Sequence, residues 1–116
     1  MSLRNKLNLL LASVAFTSSV LAPPIARAWD GAVMGAISAM DVTGGSNYGF
    51  RISLAGVENM CNGGLNWAYL NDTDSNYKTY VAVLMLSKAQ ASKVVVYSNL
   101  QGGFCHIGYI SVLPGP

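Results

Sequence analysis

Residues 48–55, "YGFRISLA", alternate without a break: Tyr48, Phe50, Ile52 and Leu54 against Gly49, Arg51, Ser53 and Ala55. A period of two places one set on each face of a strand, so this segment predicts a half-buried β-strand with the aromatic and aliphatic set inward. "LNWAYL" (65–70) repeats the pattern with Leu65, Trp67 and Tyr69. "AVMGAISAMDV" (32–42) reads as a long first strand whose glycine and alanines permit curvature. A helix competes there, because Ala and Met favour one.

The period then changes. Over 75–92, Tyr77, Tyr80, Val81, Leu84 and Ala91 recur at helical spacing. "VAVLML" would suit a strand by propensity, but "SKAQAS" and the flanking charges tip the segment to helix. Asp72, Thr73, Asp74 and Ser75 stand before it, as caps and as charges opposing the helix dipole. Lys88 and Lys93 stand near its other end. "KVVVYS" (93–98) and "FCHIGYISVL" (104–113) complete the elements, joined by "NLQGG". The expected class is mainly β with one helix, in the order β-β-β-α-β-β.

The first residues belong to another pattern. Arg4 and Lys6 precede an uncharged apolar run, Leu7–Ala22, and "PPIARA" ends in an A-x-A pattern at Ala28. This is the layout of a secretory signal peptide, residues 1–28. A membrane anchor is the competing reading, but the run is short for a span and two prolines follow it. The folded domain is then 29–116, secreted or periplasmic, with no membrane span after cleavage. Its cations are Arg51, Lys78, Lys88 and Lys93, and its carboxylates Asp30, Asp41, Glu58, Asp72 and Asp74. Four scattered cations do not make the clustered charge that phosphate backbones need, which argues against nucleic acid as a partner.

Cys61 and Cys105 both fall in that domain. Export into an oxidising compartment favours a Cys61–Cys105 disulfide. The loop of about 45 residues implies roughly 4 kcal/mol of stabilisation by chain entropy. A metal pair would need further ligands, and His106 is the single histidine.

Asp72, Asp74 and Asn76 alternate like the first ligands of an EF-hand loop. That loop wants Gly sixth and Glu twelfth, where this chain has Tyr77 and Val83. The helix-start reading is preferred, and neither a metal nor a cofactor is expected. "NDT" (71–73) also matches a glycosylation sequon. His106 in an apolar strand reads as structural, and no serine or carboxylate stands with it in a catalytic order, so no enzymatic activity is expected.

The element order resembles the OB-fold, a five-stranded barrel. That resemblance implies parallel third and fifth strands, which would bring Cys61 and Cys105 together. Trp29 near the start of the domain, Cys61 before the third strand, an alanine-bearing helix, "SKVVVY" and "FCHIGYISV" resemble, by element and spacing, the B subunits of bacterial AB5 toxins of the subtilase-cytotoxin and typhoid-toxin type. The resemblance implies a ring-shaped pentamer, glycan binding and room for a toxin A subunit as partner. It carries over no sugar-binding residue.

On an OB scaffold, ligands bind the face of strands two and three and the adjoining loops. Those regions hold Asn47, Arg51, Ser53, Asn66 and Gln101, neutral or singly charged groups suited to glycan hydroxyls. Trp67 and Tyr69 are candidates for an aromatic platform, though the alternation favours them as core. The helix is apolar beyond its inner stripe. Ala82, Val83 and Leu86 are therefore expected at a homo-oligomer interface. The expected function is an oligomeric glycan-binding module. The alternative is an exported structural or interaction ring without lectin activity.

Overall fold

A computed structural model describes residues 28–115. The expected signal peptide, residues 1–28, lies outside the described residues but for Ala28. The chain folds as five strands and one helix: β1 (Gly31–Val42), β2 (Phe50–Leu54), β3 (Ala68–Leu70), α1 (Tyr77–Ala89), β4 (Lys93–Gln101) and β5 (Phe104–Val112). The strand reading of residues 32–42 holds against the helical competitor.

Pairing runs β1-β2-β3-β5-β4 and closes on β1, making a closed barrel. β1 serves two partners. Gly31–Ala36 pairs with β4, and Ile37–Val42 pairs with β2 across an irregularity between Ile37 and Ala39. Such a bulge lets one strand bend from one part of a barrel to another. β3 is antiparallel to β2 and parallel to β5, with Ala68 opposite Cys105 and Tyr69 opposite His106. The β4–β5 hairpin turns at Gly102 and Gly103, both at positive φ (61° and 88°), as a tight turn between twisted strands requires.

The interior gathers Ile37, Phe50, Ile52, Leu54, Met60, Ala68, Leu70, Leu84, Val94, Val96 and Ile107. Phe50, Ile52 and Leu54 point inward as their alternation demands. Cys61 and Cys105 are joined by a disulfide inside this core, as expected. A Cβ on Gly64 would overlap the Cys105 sulfur, so only glycine lets that loop cross the bond.

Three local expectations are corrected. β3 is shorter than 65–70 and in the opposite phase. Ala68 and Leu70 enter the core and Leu65 is exposed; Tyr69, opposite Arg51, lies on the other face of the sheet and is nonetheless buried there, 3% exposed, beneath neighbouring rings. Trp67 and Tyr69 in one phase and Ala68 and Leu70 in the other are all apolar, and the small Ala68 sits opposite the buried Cys105. A one-residue change of phase moves every side chain to the other face. Tyr48 lies outside β2, at φ 53°, and does not enter the core.

The helix starts at Tyr77 rather than Ser75, after Asn76 in the left-handed region, and no side chain caps it. Asp72–Ser75 therefore do not cap the helix. Tyr77, Tyr80, Val81 and Leu84 do pack on the barrel, but Ala91 lies past the helix end, exposed, at φ 54°. Lys88 stands in the last turn, where the dipole favours it.

Candidate functional site

The outer face of β2, β3 and β5 carries a cluster of rings. Arg51 and Tyr69 are directly opposite across the β2–β3 ladder, so their side chains share this face. His106 follows on β5, opposite Tyr69, and its ring lies flat on the Tyr69 phenol at 4.6 Å between centroids and 2° between planes. Tyr48 meets Tyr69 edge-on at 4.7 Å and Phe104 at 5.0 Å. Phe104 stacks on Trp67 at 4.9 Å. The Arg51 guanidinium carbon stands 4.4 Å from the centre of the Trp67 ring, a cation–π contact.

A polar chain frames the rings. Asn71 Oδ1 accepts from the Tyr48 backbone N–H at 2.8 Å, which holds Tyr48 in its unusual backbone conformation. Asn71 in turn donates its own N–H to Asp74 Oδ2 at 2.9 Å. The same Oδ2 lies 2.6 Å from His106 Nε2, the one contact between a carboxylate and a basic side chain within 4 Å among the described residues. His106 Nδ1 lies 2.8 Å from Gln101 Oε1. Arg51 donates from Nε to the Tyr48 carbonyl at 2.9 Å. That bond and the Trp67 contact fix the guanidinium plane, and the terminal amino groups meet no carboxylate of the described residues.

Asp74 therefore serves this face rather than the helix start. Its Oδ2 is taken up by the Asn71 N–H and the His106 ring, and no side chain caps the helix. His106 is half-buried and paired on both nitrogens. Such partners are those of a satisfied structural histidine, as expected, though they lie on the outer face.

Of the residues expected to bind ligand, Arg51 and Gln101 belong to the cluster. Ser53 is half-buried two positions along β2. Asn47 is exposed in the turn before Tyr48, where its backbone N–H bonds the Gly44 carbonyl. Asn66 borders a separate shallow hollow with Val57, Glu58, Asn59 and Leu65. Sequence reasoning missed Tyr48, Phe104, His106 and Asp74 as members, and it placed Trp67 and Tyr69 preferentially in the core. The usable signal was that "WAYL" is apolar in both phases, so one phase had to cover the outside.

Of the expected interface residues, Ala82 is exposed, Val83 half-buried and Leu86 58% exposed, with Met85 beside it at 56%. A groove of about 280 Å³ runs between α1 and β5, lined by Tyr80, Val83, Tyr109 and Val112 among others. The Tyr80 hydroxyl crosses to the Gly108 carbonyl at 2.8 Å.

Burial holds the Tyr69 phenol above its ordinary value of 10.0, with Tyr48 and Asp74 acting in the same direction. Burial and Asp74 likewise raise Tyr80. In the unfolded chain these phenols lose protons near pH 10, while the folded protein retains them further. Their contribution to stability is thus complete below pH 10 and is lost as pH rises through the folded values. Phenolate absorbance followed on raising pH should show late-titrating phenols, and Tyr69→Phe should remove one. An unchanged alkaline curve for that variant would contradict the assignment.

Compared with known protein families, curated proteins and solved structures, the chain matches none.

Proposed function

We propose that this chain is a secreted, non-enzymatic glycan-binding module of OB-fold type that works as a homo-oligomer. The observation that carries the reading is the ring cluster on β2, β3 and β5, with Arg51 held against Trp67 and Gln101 at its border. OB-folds use this face and its loops for oligosaccharides. Sugars are bound by aromatic surface against their C–H faces and by fixed donors and acceptors for their hydroxyls. Arg51 and Gln101 are such groups, and Trp67, Tyr48 and Phe104 are half-buried rings beside them. The disulfide accords with export. Among the described residues no helix is long and apolar enough to cross a membrane.

Met85 and Leu86 on one flank of α1, and Tyr109 and Val112 beside the groove, are large apolar groups open to water in a single chain. Two different apolar surfaces suit a head-to-tail contact, which closes into a ring. A ring, a pentamer by the toxin B-subunit resemblance, multiplies a weak site through effective concentration. It also leaves a place for a toxin A subunit.

The test is the exported protein on a glycan array, together with its mass in solution. Arg51→Ala and Trp67→Ala should each lower binding at least about tenfold while far-ultraviolet dichroism stays unchanged, the loss of about 1.4 kcal/mol that one good polar or stacking contact supplies. Leu86→Asp should release monomers and reduce binding through lost multivalency. A single-chain mass for the unmutated protein rules out the ring. A silent array with a stable oligomer favours the other reading, an exported interaction protein whose assembly binds another protein.

A further inference from the structure

His106 is the one histidine of the chain, and both of its ring nitrogens face oxygen. Nε2 stands against the Asp74 carboxylate. A carboxylate only accepts, so Nε2 carries a proton. Nδ1 stands against the Gln101 amide oxygen, which also only accepts. With the amide turned this way, Nδ1 can bond Oε1 only if it too carries a proton. When Nδ1 loses its proton, its lone pair faces the lone pairs of Oε1, and the contact turns repulsive. Rotating the exposed Gln101 amide by half a turn restores it, with the amide N–H₂ now donating to Nδ1.

The half of the amide directed away from His106 changes accordingly. It is N–H₂ when the ring is charged and C=O when the ring is neutral. We propose that His106 sets the ligand specificity of this face by deciding whether Gln101 offers a donor or an acceptor. The inference rests on the reading that ligand binds this face. Histidine is the side chain whose charge ordinarily changes between pH 5 and 8. A ligand with an acceptor-only oxygen at Gln101, a carbonyl or a ring ether, then binds more tightly in acid. A hydroxyl both donates and accepts, so it is tolerated in both states.

The other titratable and charged groups near the ring come from several elements. Asp74 from the turn before α1 keeps Nε2–H in place. Tyr69 from β3 and Tyr80 from α1 stay neutral, both held above 10.0. Tyr48 from the β1–β2 loop packs behind Tyr69, and Arg51 from β2, opposite Tyr69, stays positive.

Nuclear magnetic resonance on the ligand-free, nitrogen-labelled exported protein tests this. The Gln101 side-chain N–H₂ signals should move between pH 5 and 8 with the same midpoint as the His106 ring, and the neutral ring should carry its proton on Nε2. His106→Phe, which keeps a ring on Tyr69, should make the Gln101 signals independent of pH. Gln101→Glu can only accept from Nδ1 and should hold that nitrogen protonated to higher pH than in the unmutated protein. Gln101 signals indifferent to pH in the unmutated protein, or a neutral ring protonated on Nδ1, would overturn the proposal. With no ligand present, failure here strikes the switch alone, whereas a silent glycan array strikes the binding reading.

Discussion

Replacing Cys61 and Cys105 together by alanine should lower stability by about 4 kcal/mol, read as a fall in the urea midpoint, with a steeper slope as the unfolded chain expands. The bond spans a sequence separation of 44 and encloses β3, α1 and β4. Cutting it returns that segment's freedom to the unfolded chain. The sulfurs are also core atoms, since Cys61 is 3% and Cys105 0% exposed, so alanine leaves unfilled space besides. Small domains are stable by only about 5–15 kcal/mol, which makes this a large fraction of the whole. The melting temperature should drop by roughly 15–30 °C. A loss below about 1 kcal/mol would mean that the unfolded chain already holds the two cysteines near each other.

Leu84→Ala should cost about 2–5 kcal/mol. Leu84 is fully buried and is the centre of the α1 face that packs on the barrel, with Tyr77, Tyr80 and Val81 around it. A helix of 13 residues is marginal by itself, and this one has no side-chain cap and no acidic residue in its first turn. Its stability therefore depends on packing. Hydrogen exchange should show the α1 amides losing protection before those of the strands. Leu86→Ala, at a residue 58% exposed, should change the stability of an isolated chain by no more than about 0.5 kcal/mol. Equal effects from the two substitutions would contradict the packing described.

The legible parts of the fold were those where one pattern dominated. "FRISL" can be inward in only one phase, and its burial follows the alternation. The two cysteines required a close approach of the residues before β3 to the start of β5, and the parallel pairing supplies it. The phase of β3 was not legible, because Trp67 and Tyr69 compete with Ala68 and Leu70 for the interior. The outcome depends on how much room a distant strand leaves.

The site was half legible for a related reason. Arg51 and Gln101 were reachable from their places on a face and in a turn. Asp74 and His106 meet across 32 positions of sequence, and nothing local to either marks the other as its partner. Asp74 looked like a helix cap because local explanations are the only ones a sequence displays. Tyr69 is buried as its place in the alternation suggested, but on the outer face, because a sheet face can carry a packed cluster of its own, and Trp67 is only half-buried there.

The five pairings do not all form under the same conditions. β4 and β5 meet through a two-residue turn, a closure any chain makes quickly. The β3–β5 and β1–β4 pairings instead join segments far apart in the chain, and must wait for long stretches to be drawn in. Cys61 and Cys105 flank the β3–β5 step. Their sulfurs come within bonding distance only as that step completes. A chain that threads its strands in another order keeps its two thiols apart and unpaired. Besides bracing the barrel, the covalent link thus fastens one of the two pairings that depend on long-range closure.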